Sequence, residues 1–222
     1  RLQSLTEDVI PKPLIHVHTK PLLDHVIDHA IKYSYDNIII CTGHLGHKIQ
    51  EHIDKNHYPA VITISQEENS LGTAGALRLI KDLLEDEFII LYGDIYTTIN
   101  LKKMLQSHKR KKADVTIAVH TSEHPQDSTV AKLNKQGKIV EMIEKPGDDW
   151  EQYGNLTQTS LYIVKKDILN FIPEGQSLDL AKDVFPAMLK KNKNIFGYQT
   201  EEYAKDMGTP ERYNKVVKLL QT

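Results

Sequence analysis

Short apolar strands alternate with helical patterns through the first half of this 222-residue chain. Residues 36–42, 60–65 and 87–92 are short runs rich in β-branched and aliphatic side chains, which is typical of strands. Between them, apolar residues recur at the three- and four-residue spacing of amphipathic helices. Strands that alternate with helices are typical of a parallel sheet covered by helices. This pattern predicts an α/β fold.

The pattern of apolar and polar residues changes from residue 113 onward. Val115, Ile117 and Val119 alternate with small or polar residues, and a hairpin is predicted over 130–140 around the turn Asn134-Lys135-Gln136-Gly137. Further strands are predicted over 159–164 and 195–199, and a helix over 178–189. The last helix has a clear start, with Thr209 as cap, Pro210 in the first position and Glu211 in the first turn. We therefore expect a partly antiparallel second half.

Composition excludes several classes of protein. The net charge is −2 and the isoelectric point is about 6.6, so no strong field attracts nucleic acid or an anionic membrane. The basic run at 109–112 is expected to end a helix. The single cysteine, Cys41, excludes an internal disulfide and favours a reducing, cytoplasmic location. We expect neither nucleic-acid nor membrane partners, and the sequence leaves a homo-oligomer open.

Five motifs follow the opening Arg1-Leu2 in a fixed order. They are Val9-Ile10-Pro11-Lys12-Pro13-Leu14, Leu71-Gly72-Thr73-Ala74-Gly75, Tyr92-Gly93-Asp94, Glu144-Lys145-Pro146 and Lys205-Asp206-Met207-Gly208-Thr209-Pro210. Together they resemble the sugar-1-phosphate nucleotidyltransferases over nearly the whole chain.

The resemblance implies a single domain over residues 1–222 with a Rossmann-like (GT-A-like), three-layer α/β fold. Its central sheet would be mixed and mainly parallel, with a small antiparallel extension on the acceptor side. In this family the first strand runs into a glycine-rich loop ending in Gly-Thr-Arg-Leu, of which this chain has Arg1 and Leu2. We therefore expect the natural protein to extend upstream by about a dozen residues, enough for one strand and a turn.

Two aspartates are the candidate metal ligands. Asp94 ends an apolar strand, where open α/β sheets bind ligands, and Asp206 precedes the last helix. By resemblance, both hold Mg²⁺, an ion that takes few protein ligands and leaves room for phosphate oxygens. The alternative is that Asp94 only ends a strand and Asp206 only precedes a helix cap.

In addition to Asp94, two cationic side chains are candidate catalytic groups. Lys12 lies between Pro11 and Pro13, which are expected to hold the chain extended and to limit its conformations. The resemblance implies that Lys12 and Arg1 bind the triphosphate and stabilise charge at the α-phosphorus. An ordinary exposed turn is the alternative for Pro-Lys-Pro.

The nucleotide is assigned to Leu71, Gly72 and Thr73. This segment has neither the lysine of a P-loop nor the glycine spacing of a dinucleotide fingerprint. The resemblance places it beside the nucleoside, and its form is most like that of guanylyltransferases. Glu67 is the candidate acceptor for the N1 and N2 donors of guanine, with a solvated loop charge as the alternative.

The sugar phosphate is assigned, by resemblance, to Glu144, Lys145 and Thr159. Glu144 would bind sugar hydroxyls, Lys145 the phosphate, and Thr159 would line the sugar site. Here the chain departs from the commoner Asn-Ala-Gly-Ile-Tyr, because Gln158 replaces asparagine and Ser160 replaces glycine. The identity of the sugar is therefore open.

The resemblance as a whole implies an Mg²⁺-dependent enzyme that transfers GMP from GTP to mannose-1-phosphate or a manno-heptose-1-phosphate. Three alternatives remain: a UDP- or dTDP-glucose-type pyrophosphorylase, a metal-dependent glycosyltransferase, and a non-catalytic nucleotide-sugar sensor of the same fold. Glycosyltransferases usually carry an Asp-x-Asp motif, whereas this chain has Asp94-Ile95-Tyr96.

Overall fold

A computed structural model describes residues 9–221 of the chain. The strands in this range are β1 His16–Val17, β2 Lys20–Pro21, β3 Asn37–Thr42, β4 Val61–Gln66, β5 Glu87–Leu91, β6 Ile95–Thr97, β7 Val115–Thr121, β8 Thr129–Leu133, β9 Ile139–Glu144, β10 Leu156–Lys165, β11 Ile195–Gln199 and β12 Ala204–Asp206. The α-helices are α1 Leu22–Lys32, α2 Gly46–Lys55, α3 Gly72–Leu79, α4 Leu101–Lys111, α5 Phe185–Lys190 and α6 Pro210–Leu220.

The described chain folds as two compact units, each built from separate stretches of sequence. The first contains residues 9–70, 92–98 and 202–221, and the second contains residues 71–91 and 99–201. Because the chain passes from one unit to the other and back, no single linker separates them. The sequence accordingly carries no boundary signal, and the single-domain assignment stays a prediction.

In the first unit, β3 and β4 pair in parallel and carry both α1 and α2 on one face. Leu23 and Ile27 of α1 and Ile49 of α2 are buried there against the isoleucines of the two strands. A second cluster joins Val17 and Leu22 to Met207, which follows β12, and to Val216 of α6. This cluster fixes the last segment of the chain beside β6, with which β12 pairs antiparallel.

In the second unit, a six-stranded sheet has the order β11-β7-β10-β8-β9, and β5 also pairs with β10. The inner strands are buried on both faces over residues 115–119 of β7 and 161–164 of β10. Tyr162 of β10 packs edge to face on Phe185 at the start of α5, with ring centroids 5.0 Å apart, and both side chains are fully buried. Burial of side chains of this size contributes about 1.5–3 kcal/mol each.

The sheet is mixed, as predicted, but most of its pairings are antiparallel rather than parallel. The strands β5, β7 and β11 do run in the same direction. The difference arises from β10, which enters antiparallel between β5 and β7 and contacts both. A neighbour inserted from later in the chain leaves no local mark in the sequence of either strand.

Several local predictions are confirmed by backbone geometry. The hydroxyl of Thr209 accepts a hydrogen bond from the Arg212 amide at 3.3 Å, and Pro210 occupies the first turn of α6. The basic run ends α4, where Lys112 adopts a left-handed conformation with φ of 47°. The hairpin turn places Gly137 at φ of 77°, and the Asn134 side chain accepts from two amides of the turn.

The helix predicted over 178–189 differs from the expectation at its start. It opens with a π-helical turn, Leu180–Val184, and continues as α5. The Asp179 side chain caps this turn by accepting from the amides of Ala181 and Lys182.

Within residues 9–221, no helix combines the length and the apolar character that a membrane crossing needs.

Candidate active site

The first unit brings Asp94 and Asp206 together from distant parts of the chain. Asp206 is the last residue of β12 and lies opposite Ile95, the residue after Asp94. The amide of Met207 donates to the carbonyl oxygen of Asp94 at 2.8 Å. The ladder between β6 and β12 therefore holds both aspartates at one end, and we call them the acidic pair.

The electrostatics of the acidic pair favour a bound cation. Asp94 is half-buried, and burial raises the pKa of its carboxyl; the negative charge of Asp206 raises this pKa further, while the Lys12 ammonium opposes the shift. A divalent cation between the two carboxylates would remove their mutual repulsion. The described residues contain no cluster of three or more His, Cys, Asp or Glu suited to a metal. Two carboxylates suit a hard cation that takes its remaining ligands from water and phosphate, and metal binding by this pair stays a prediction.

Lys12 lies on a turn that packs against the strand end carrying Asp94. Pro11 is extended, as predicted, but Lys12–Leu14 forms a 3₁₀ turn, which corrects the expectation of an extended segment. The turn forms because the Leu14 amide donates to the Pro11 carbonyl at 2.8 Å. A Cβ atom on Gly93 would lie 3.3 Å from Cγ of Pro13, so the two segments are in close contact. The turn thus fixes the lysine backbone beside Asp94 and leaves its side chain exposed.

Arg212 is a residue at this site that the sequence analysis missed. Its Nη1 lies 2.6 Å from each carboxylate oxygen of Asp206. The Gly208 amide also donates to Oδ1 of Asp206, at 2.9 Å. These contacts fix the orientation of the Asp206 carboxylate. The available signal was the position of Arg212 in the first turn of a helix that begins directly after the aspartate motif.

Glu67 follows β4 in the same unit, and its amide donates to the Thr42 carbonyl at 2.8 Å. Its carboxylate faces the turn after β3, where a Cβ atom on Gly43 would lie 2.9 Å from Oε1 of Glu67. The glycine therefore makes room for the carboxylate. Recognition of a base by Glu67 stays a prediction, and Arg1 lies outside the described residues.

In the second unit, residues 71–75 are the N-cap and first turn of α3, a tightly held segment that we call the Gly72 loop. Gly72 has φ of 68°, and a Cβ atom on it would lie 2.5 Å from the Leu178 carbonyl oxygen. The Leu178 amide donates to the Leu71 carbonyl at 3.0 Å, and the Ala74 amide donates to the Leu178 carbonyl at 2.9 Å. Glycine is required at position 72 by both its backbone conformation and this close approach.

Thr73 of the Gly72 loop has a hydroxyl with two partners in the capped π turn. It donates to Oδ2 of Asp179 at 3.0 Å and accepts from the Leu180 amide at 2.9 Å. The Thr73 hydroxyl therefore orders the Gly72 loop. Binding of the nucleoside by Leu71, Gly72 and Thr73 stays a prediction.

The motif Glu144-Lys145-Pro146 has an unusual backbone. Lys145 adopts φ of 44°, although it is not glycine and precedes proline, and its amide donates to the Ser128 carbonyl at 3.1 Å. Such left-handed residues persist where the surrounding structure imposes them, and they concentrate at functional sites. The Glu144 carboxylate forms an ion pair with Lys182, with 2.7 Å between Oε1 of Glu144 and Nζ of Lys182.

Thr159 lies in a bulge of β10 where the pairing with β7 shifts between Gln158 and Tyr162. Its side chain is buried, and its hydroxyl donates to the Ala118 carbonyl at 3.2 Å. Ser160 has φ of 58°, a conformation for which the glycine of the commoner motif is better suited. The Gln158 side-chain oxygen accepts from the Ser160 amide and the Tyr162 hydroxyl, at 2.6 and 2.7 Å, and so supports the bulge. The donor of the Thr159 hydroxyl is therefore already used, and contact of this residue with a sugar stays a prediction.

Comparison with known proteins identifies relatives of the whole described chain. The family model described as Nucleotidyl transferase matches residues 1–222. The D-glycero-alpha-D-manno-heptose 1-phosphate guanylyltransferase of Aneurinibacillus thermoaerophilus is 26% identical over 100% of this chain and 94% of its own. The UTP--glucose-1-phosphate uridylyltransferase of Synechocystis sp. is 26% identical over 98% of this chain and 60% of its own.

The chain spans about three fifths of the length of several curated relatives that it matches, the Synechocystis enzyme among them. In structure, it is similar to HddC from Yersinia pseudotuberculosis, with a TM-score of 0.84 and 24% identity over 99% of this chain and 94% of that chain. This likeness confirms the predicted Rossmann-like α/β class.

Proposed function

Because the chain belongs to the nucleotidyl transferase family, we propose that it transfers a nucleotidyl group from a nucleoside triphosphate to a sugar-1-phosphate. The products are a nucleotide-sugar and pyrophosphate, and GTP is the proposed donor. The observation that carries the proposal is the acidic pair with Lys12 beside it, held in one unit by β6, β12 and the turn after Pro11.

The reaction needs positioning and charge stabilisation rather than a protein nucleophile. An oxygen of the sugar-1-phosphate attacks the α-phosphorus in line, the new P–O bond forms, and the bond to the departing pyrophosphate breaks. Mg²⁺ held by Asp94 and Asp206 would neutralise and orient phosphate oxygens. Lys12 binds the triphosphate and stabilises charge that moves onto the pyrophosphate, a role that the resemblance also gives to Arg1.

The two ends of the substrates are assigned to different groups of residues. Leu71, Gly72 and Thr73 bind the nucleoside through the backbone of the Gly72 loop, and Glu67 accepts the guanine donors. Glu144 binds sugar hydroxyls and Lys145 binds the sugar phosphate, near the strand that carries Thr159. Guanylyltransferase names among the relatives support GTP, and a manno-configured sugar is the matching acceptor.

A substrate panel tests this function directly. GTP, ATP, UTP and dTTP are each combined with mannose-1-phosphate, manno-heptose-1-phosphate or glucose-1-phosphate in Mg²⁺, and pyrophosphate release is measured. We expect the highest kcat/KM for GTP with a manno-configured phosphate. A preference for UTP and glucose-1-phosphate would replace the guanylyl assignment with a uridylyl one, and release from no pair would reject nucleotidyl transfer.

The two lysines are expected to affect different substrates. Lys145→Ala should raise the KM for the sugar-1-phosphate about tenfold or more, because a charge-assisted hydrogen bond to a phosphate contributes about 1.5–3 kcal/mol. Lys12→Ala should chiefly lower kcat, because its charge is needed most as pyrophosphate departs. Initial rates measured while each substrate is varied separately distinguish the two effects.

An exposed lysine without a proposed substrate role gives the matched control, and Lys190→Ala of α5 should leave both kinetic constants within twofold of wild type. Equal defects toward both substrates in Lys12→Ala and Lys145→Ala would contradict the separate assignments.

Glu67→Gln should reduce the preference for GTP. The carboxylate accepts the two guanine donors, whereas the amide replaces one acceptor with a donor; an unpaired donor in a partly desolvated site costs about 1–3 kcal/mol. The ratio of kcat/KM for GTP to that for ATP should fall about tenfold. The neighbouring Glu68→Gln is the control, and an unchanged ratio in Glu67→Gln would remove Glu67 from the base site.

A further inference from the structure

The segment 178–182 contacts two motifs that are far apart in sequence, the Gly72 loop and Glu144. Toward the Gly72 loop it makes four hydrogen bonds: Leu178 exchanges two with Leu71 and Ala74, and the Thr73 hydroxyl makes one each with Asp179 and Leu180. Toward Glu144 it makes the ion pair from Lys182. We call residues 178–182 the bridging segment.

The bridging segment has its own hydrogen bonds at the point where it contacts both motifs. Oδ1 of Asp179 accepts from the amides of Ala181 and Lys182, and the Asp179 amide donates to Oδ2 of Asp183 at 2.7 Å. The segment continues into the π turn, whose Leu180 and Val184 are fully buried. Lys182 lies within this turn, and π turns occur frequently at functional sites.

The ion pair itself has the character of an orienting contact. Half of the Lys182 side chain and about a third of the Glu144 side chain are exposed, so their attraction is screened and adds little to stability. The hydrogen bond from the ammonium takes Oε1 of Glu144. Within residues 9–221, Oε2 of Glu144 has no ion-pair partner. Its direction is therefore set by the contact that Lys182 makes with Oε1 of the same carboxylate.

We propose that Lys182 is a positioning residue that orients Glu144, and that the bridging segment couples this orientation to the Gly72 loop. The proposal rests on the function proposed above, in which Glu144 binds the sugar and the loop binds the nucleoside. It assigns to Asp179 and Lys182 a role in keeping the two substrates at a fixed spacing. A change at Thr73 should therefore alter the orientation of Glu144, although the two residues do not belong to the same motif.

The experiment measures the binding of each ligand separately in the absence of turnover. Trp150, the single tryptophan of the chain, lies in the 3₁₀ segment Gly147–Gln152 directly after the Glu144 motif and serves as a fluorescence reporter. Mannose-1-phosphate and GTP are titrated separately in Mg²⁺, which permits no transfer because only one substrate is present, into wild type, Lys182→Met, Lys182→Arg and the control Lys190→Met, with calorimetry as a second readout.

We expect Lys182→Met to weaken mannose-1-phosphate binding about threefold to tenfold, the range for loss of one oriented hydrogen bond, with GTP affinity within twofold of wild type. Lys182→Arg should restore binding, and the melting temperature should not change in any variant. A structural role alone would instead lower the melting temperature and affect both ligands equally, which would overturn the proposal.

Thr73→Val tests the coupling, because it removes the hydroxyl but keeps the shape of the side chain. Mannose-1-phosphate should bind more weakly to this variant, and Lys182→Met should cost less in the Thr73→Val background than in wild type. Unchanged sugar-phosphate affinity in Thr73→Val, or strictly multiplicative effects, would reject the coupling. A wild-type protein that binds neither ligand would reject the proposed function itself, whereas binding of both with no effect of Lys182→Met would reject only the positioning role.

Discussion

Asp94→Asn is expected to lower turnover by roughly two to three orders of magnitude, the scale on which loss of one preorganised charge-stabilising group acts in other enzymes. The amide keeps the shape of the side chain but removes the charge that a divalent cation requires. Stability should be retained or slightly increased, because burial and the charge of Asp206 both disfavour the ionised Asp94 carboxylate in the folded protein.

Three measurements check this expectation: kcat in Mg²⁺, the melting temperature, and the affinity for Mn²⁺ followed by electron paramagnetic resonance. Asp206→Asn should lose metal affinity as well, but with some loss of stability because it weakens the contact with Arg212. The exposed Asp82 provides a matched control, and Asp82→Asn should behave as wild type in all three. An Asp94→Asn variant with wild-type rate and wild-type Mn²⁺ affinity would show that Asp94 is not a ligand.

Gly72→Ala is expected to destabilise the folded protein strongly, although it adds only one methyl group. The new Cβ would meet the Leu178 carbonyl at 2.5 Å, and the residue would have to keep a left-handed φ of 68°. The left-handed conformation costs about 1–2 kcal/mol for a residue with a Cβ. Overpacking against backbone adds about 1–3 kcal/mol. A loss of this size should lower the melting temperature by about 2–4 °C per kcal/mol in a chain of this length.

Gly175→Ala separates these two contributions. Gly175 has φ of 72°, close to that of Gly72, but a Cβ on it would have no heavy atom within 4 Å. We therefore expect Gly175→Ala to show the conformational cost alone, and Gly72→Ala to be clearly less stable. Equal melting temperatures for the two variants would mean that the Gly72 loop moves away from Leu178 at no cost.

The helices, strands and turns were predictable because their signals are local. Strand and helix periods, the Thr209 cap and the hairpin turn are all encoded within a few residues of the structure that they specify. The proximity of Asp94 and Asp206 was instead expected from the family resemblance, which assigns both residues to one metal ion. Whether these residues bind metal and substrate stays a prediction.

The contacts that the sequence did not reveal join residues distant along the chain. Lys182 pairs with Glu144 and the Thr73 hydroxyl with Asp179, and neither pairing is marked by spacing or composition. The insertion of β10 between β5 and β7 is of the same kind. Ser160 did carry a local signal, since it replaces the glycine of a commoner motif at a position with positive φ.

The cluster of Val17 and Leu22 with Met207 and Val216 sets an order of events during biosynthesis. Its two halves come from opposite ends of the described chain, so the first unit cannot bury this cluster until the last helix has left the ribosome. Contacts of such long sequence separation slow folding, because the loop-closure entropy is lost before the contacts form. The second unit needs only residues 71–91 and 99–201, all synthesised earlier. We therefore expect the nascent chain to acquire the six-stranded sheet of the second unit before the acidic pair, so that a chain ending before β12 holds Asp94 without Asp206.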